Sequence, residues 1–201
     1  MFDGDVEATV TDFEHRSRIV AAVPLTVSGE NLARLKIDIR CCLDSHDEFL
    51  AVEKSTYQLI ATVDREPIFR FEYERAATSK PRAHTQIHAH RGALSHLLSR
   101  ARHRTPHSME SLHVPVGGDR FRPCLEDVIE FLVVECRFDS RERWRAAVEA
   151  GRERWRRIQT RTAVRDSPSE AATALRSLGY TVTSPGNTSD PQDDLARIRR
   201  W

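Results

Sequence analysis

Arg34-Leu35-Lys36-Ile37-Asp38-Ile39-Arg40-Cys41 alternates polar and apolar side chains without a break. A period of two is what a half-buried β-strand needs, because successive side chains leave opposite faces of the sheet. Upstream, Ile19, Ala21, Val23, Leu25 and Val27 repeat the pattern, and downstream Tyr57, Leu59, Ala61 and Val63 repeat it again. Phe69, Phe71 and Tyr73 alternate with Arg70, Glu72 and Glu74, behind a Pro67 that suits the first position of a strand. Phe49 to Val52 is a further short candidate. The connections are brief, Asp64-Arg65-Glu66 among them, so these strands are expected to form an antiparallel meander.

The period changes after residue 90. Leu94, Leu97, Leu98 and Ala101 share one helical stripe. Leu125, Val128, Ile129, Leu132, Val133 and Cys136 make a wider one behind Pro123, with Glu126 and Asp127 at the end where the helix dipole favours acids. Ser167-Pro168-Ser169-Glu170 has the form of a capping box, and Gly179 would close the helix that follows. Residues 103–122 are expected to be a long loop, with Leu112-His113-Val114 as a candidate last strand. The expected class is α+β: an N-terminal antiparallel β-meander with C-terminal helices packed on one face. Residues 1–180 would be one domain, 1–90 mostly β and 91–180 mostly α, and 181–201 a flexible tail in which Leu195-Ala196-Arg197-Ile198 forms a terminal turn.

Composition narrows the class of function. The chain has 201 residues, 30% of them charged, and no apolar run of the ~18 residues that a membrane span needs. The first residues lack the charged-then-apolar order of a signal peptide, so no membrane association and no secretion are expected. Cys41, Cys42, Cys124 and Cys136 form neither a C-x-x-C pair nor a disulfide framework, which points to a cytoplasmic location. The net charge of +1 conceals an uneven distribution. Residues 1–80 carry fifteen acids and ten bases, whereas residues 81–165 carry ten acids and seventeen bases. Such a split arises either from a basic binding face or from complementarity within the molecule.

Two stretches carry the chemistry. In Pro81-Arg82-Ala83-His84-Thr85-Gln86-Ile87-His88-Ala89-His90, read as a strand, His84, Gln86, His88 and His90 share one face. His88 and His90, two residues apart, are candidate ligands of a divalent metal, which would need further ligands from elsewhere. Arg70 and Glu72 would lie beside them on the preceding strand. In a nuclease, one of His84, His88 and His90 would act as general base and another as general acid, with Arg70 stabilising phosphate charge. The alternative is a solvated histidine face and an ordinary surface ion pair. The loop Val116-Gly117-Gly118-Asp119-Arg120-Phe121-Arg122-Pro123 sets two arginines before a helix and is a candidate anion contact.

Phe69-Arg70-Phe71-Glu72-Tyr73, a short spacer and Pro81-x-x-His84-x-Gln86-x-His88 resemble the end of the sheet in TumE-type toxins of bacterial toxin–antitoxin pairs. The likeness covers residues 67–90, lacks the doubled histidine of that group, and does not extend to the helical half. It implies a toxin or defence-type module and a nucleic-acid target.

The second stretch is Arg141-Glu142-Arg143-Trp144-Arg145, echoed eleven residues on as Arg152-Glu153-Arg154-Trp155-Arg156. Eleven residues are close to three helical turns, so Trp144 and Trp155 fall on one face, continued by Val148, Gly151, Ile158 and Thr162. Nine arginines stand around it against three glutamates. Arg141, Arg145, Arg152 and Arg156, with Arg120 and Arg122, are candidate contacts to a nucleic-acid backbone. The other reading is a non-enzymatic adaptor that docks a protein partner through Trp144 and Trp155.

Overall fold

In a computed structural model of the protein, residues 7–13, 15–44, 50–89, 92–100, 102–116, 118–183 and 192–199 are described. The alternating stretch 34–41 forms most of β3 (Glu30–Leu43), near the centre of a sheet whose strands run in chain order. Its neighbours are β1 (Glu7–Phe13), β2 (Arg16–Val27), β4 (Leu50–Ala61), β5 (Pro67–Glu74), β6 (Ala83–Ile87) and β7 (Val114–Pro115). Every pairing is antiparallel. The helices are α1 (Gly92–Arg100), α2 (Gly118–Phe121), α3 (Leu125–Val134), α4 (Trp144–Asp166), α5 (Pro168–Ser177) and α6 (Leu195–Ile198). The fold is α+β, as the periodicity predicts.

Register carries the alternation across the sheet. Ala21, Ile37, Tyr57, Phe71 and Thr85 stand opposite one another in turn and so share a face. On that face Leu35, Ile37, Tyr57 and Leu59 are buried against Val128 and Leu132 of α3. Phe131 of α3 sets its ring edge-on to Phe69, with centroids 5.4 Å apart. Each such apolar side chain contributes about 1.5–3 kcal/mol when fully buried, so the seam between α3 and the sheet stabilises the fold. The opposite face carries Asp38, Thr56, Glu72 and His84 in one cross-strand row and Lys36, Gln58, Arg70 and Gln86 in the next.

Between β2 and β3, Ser28 and Gly29 both have positive φ, the backbone of a two-residue hairpin loop. Asp139, which follows α3, accepts hydrogen bonds from both of their N–H groups and from the Thr26 hydroxyl. One carboxylate thereby ties the helical half to the hairpin tip.

Several expectations are corrected. The candidate strand at 49–52 is the start of the longer β4, with Phe49 outside the described residues, and β7 begins at Val114 rather than at Leu112. Of the α1 stripe, Leu98 alone has a described side chain. The inward stripe of α4 passes through Gln159, which is buried, and leaves Ile158 53% exposed, because one more residue completes the helical turn. The Ser167 side chain caps nothing at the start of α5. Instead Asp193 accepts hydrogen bonds from the Ser169 N–H and hydroxyl. Residues 192–199 thus lie against the α4–α5 junction, where Arg197 also pairs with Asp166 at 3.2 Å.

Candidate functional site

The polar ends of β5 and β6 hold the densest group of ionisable side chains. Antiparallel register sets Glu72 opposite His84 and Arg70 opposite Gln86. His84 is 1% exposed. Its Nδ1 lies 2.8 Å from the Pro81 carbonyl oxygen and its Nε2 lies 3.1 Å from Glu72 Oε2. Both partners are acceptors, so both contacts are hydrogen bonds only when the ring carries two protons. Lys80 Nζ also reaches Glu72, at 3.3 Å. Burial pushes the Glu72 carboxyl up, but the hydrogen bond from His84 and the charges of Lys80 and Arg70 outweigh it and hold the carboxyl down at about 2.

The segment before β7 folds over this face. Gln86 donates to the Glu110 carbonyl at 2.7 Å, and the His113 ring stands edge-on to His84 with centroids 4.6 Å apart. Burial, followed by the charges of His84 and Lys80, holds His113 below the ordinary histidine value, so it is a neutral base near pH 7. Sequence reasoning missed Lys80, Glu110 and His113. Lys80 sits four residues before His84, whereas Glu110 and His113 arrive by a long loop that no local pattern places.

The structure thus brings Arg70, Glu72 and His84 together and sets both nitrogens of His84 into internal contacts, leaving none for a substrate. His88 continues the same face, and its backbone N–H bonds the Ile68 carbonyl. His90 lies outside the described residues, so the proposed metal pair His88–His90 does too. Among the described residues no three His, Cys, Asp or Glu side chains are grouped to hold a metal ion.

The six arginines named for nucleic acid divide sharply. Arg122 is buried and stacks between the rings of Tyr73, 3.8 Å from its guanidinium carbon, and Trp155, at 4.6 Å. Arg152 pairs with Asp127 at 2.7 Å and with Glu130, and Arg120 pairs with Asp166 at 2.7 Å. These three fasten the helices to one another and to the sheet. Arg145 lies over the Trp144 ring and pairs with Glu130 at 3.3 Å, and Arg156 stands 4.0 Å from Asp127. Both are mostly exposed. Arg141 is exposed and has no carboxylate partner among the described residues.

The outward face of α4 presents other arginines. Arg143, Arg154 and Arg161 are exposed, and none of them pairs with a carboxylate among the described residues. Arg157, between the last two, pairs among the described residues only with Glu153 of the same helix. At about 1.5 Å per residue, Arg154 to Arg161 spans roughly 10 Å along the helix, and Arg143, at φ 61°, stands just before its first turn. Trp144 and Trp155 are half-buried beside the inward stripe. α3 covers the apolar face of the sheet and α4 packs on α3, while the Glu72–His84 group sits on the other face, so the arginine row and the histidine strand lie on opposite sides of the sheet. No helix among the described residues is long and apolar enough to cross a membrane. Compared with protein-family models, curated proteins and solved structures, the chain matches none of them.

Proposed function

We propose that the protein binds nucleic acid through the outer arginine row of α4, as part of a cytoplasmic toxin or defence-type module. The carrying observation is the row itself: Arg143, Arg154 and Arg161 stand exposed with no carboxylate partner among the described residues. The guanidinium groups of Arg154 and Arg161 on the helix, with Arg143 just before its first turn, suit a phosphate backbone, in contacts that do not depend on sequence. The resemblance at residues 67–90 supports the module assignment. The histidine strand is, in this view, a second functional face on the other side of the sheet.

Fluorescence anisotropy with labelled duplex DNA and single-stranded RNA tests the reading. Binding is expected at about 50 mM salt and a steep fall by about 200 mM. Replacing Arg143, Arg154 and Arg161 together by alanine should remove most of it. Absence of binding at the lower salt overturns the proposal in favour of a protein-docking adaptor.

A further inference from the structure

Two buried nitrogens on the polar sheet face have no hydrogen-bond partner: Arg70 Nε and His88 Nε2. Buried polar atoms of this kind are rarely left unpaired, because each forfeits its hydration. Register places them together. Arg70 pairs with Gln86, and the His88 N–H bonds the Ile68 carbonyl, so Arg70 and His88 are diagonal neighbours on adjacent strands. Diagonal positions lie roughly 7–8 Å apart, within the joint reach of an arginine and a histidine.

The surroundings favour an anion. Arg70 contacts Glu72 Oε1 at 3.8 Å and Gln86 Oε1 at 3.4 Å, both at the long limit, and its side chain is 27% exposed. Glu72 has closer partners than Arg70, its Oε2 lying 3.1 Å from His84 Nε2 and 3.3 Å from Lys80 Nζ. The row leading to Arg70 across the sheet is Lys36 and Gln58, both able to donate, and it opens to solvent at Lys36. The nearest carboxylate is Glu72, whose Oε2 faces His84 and Lys80 while its Oε1 stands 3.8 Å from Arg70 Nε, beyond hydrogen-bond distance.

We propose that Arg70 and His88 form a binding site for a phosphate-class oxyanion, with Lys36 and Gln58 along its approach. One oxygen would accept from Arg70 Nε–H and another from His88 Nε2–H, which supplies the two missing partners. The site lies on the opposite sheet face from the α4 arginines and does not rest on them.

Arginine Nε–H resonances followed by 1H–15N correlation during titration with inorganic phosphate, at ionic strength held constant with chloride, provide the test. The Arg70 resonance should shift and saturate below about 50 mM phosphate. Arg70→Gln and His88→Ala should each weaken that binding about tenfold or more, while Arg154→Ala/Arg161→Ala leaves it unchanged. A dinucleotide that competes with phosphate identifies the ligand as a phosphodiester, and one that does not identifies free phosphate. An Arg70 resonance that fails to move, or phosphate binding that survives Arg70→Gln, overturns the site. Because the measurement on the native chain needs no substitution, a misfolded variant does not decide the outcome.

Discussion

The Glu72–His84 pair shows how buried contacts set the state of a carboxyl group. His84 is enclosed between two acceptor oxygens, the Pro81 carbonyl and the Glu72 carboxylate. Held at about 2 against an ordinary 4.5, the Glu72 carboxyl binds its proton more weakly in the folded chain than in the unfolded one. Its contribution to stability is therefore complete above the ordinary value and is lost as pH falls from about 4.5 towards 2. Urea midpoints measured from about pH 6 to pH 2 should fall through that window for the native chain. Glu72→Gln, which has no carboxyl to protonate, should start lower and converge with the native curve at the acid end. Parallel curves would show that the pair carries no such linkage.

At the scale of elements, α3 and α4 approach closely at Gly151. A Cβ at that position would overlap the Glu126 side chain of α3. Glycine in mid-helix ordinarily costs roughly 0.5–1 kcal/mol relative to alanine. Gly151→Ala should lose that gain to the displacement of Glu126, whereas in a Glu126→Ala background it should stabilise by about 0.5–1 kcal/mol. A double-mutant cycle by chemical denaturation should thus return a coupling of about 1 kcal/mol, and additive effects would mean that Glu126 moves aside freely. The same elements show what the sequence makes legible. Strands β2 to β5 follow from period-two alternation, and α3 and α4 from their stripes, because both signals are local and repeat many times. β1 went unread because its side chains from Ala8 to Asp12 are exposed on the sheet edge, where nothing imposes alternation. The cap of α5 went unread because its acceptor, Asp193, arrives from 24 residues away. In the candidate site, Arg70, Glu72 and His84 were legible from strand parity, whereas the enclosure of His84 depends on Pro81 and on the loop bearing His113.

Across the whole molecule, the ion pairs among the described residues run mostly within the acidic and basic halves rather than between them. The inward arginines of α4 pair with Asp127 and Glu130, which belong to the basic half itself, and Arg165–Asp44 at 3.8 Å is a lone ion pair between α4 and the N-terminal half among the described residues. The outward Arg154 and Arg161 are exposed and pair with no carboxylate among the described residues. With the sheet between them, the arginine row and the Arg70–His88 site are too far apart to share a contact, so their effects on a bound nucleic acid should be separable. The slope of log K against log salt counts the phosphates neutralised, at about 0.9 each on duplex DNA. Removing Arg143, Arg154 and Arg161 should lower that slope by about 2 to 3, and Arg70→Gln should leave it unchanged. If Arg70→Gln also lowers the slope, a single strand must wrap from one face of the sheet to the other, and the two surfaces form one continuous path.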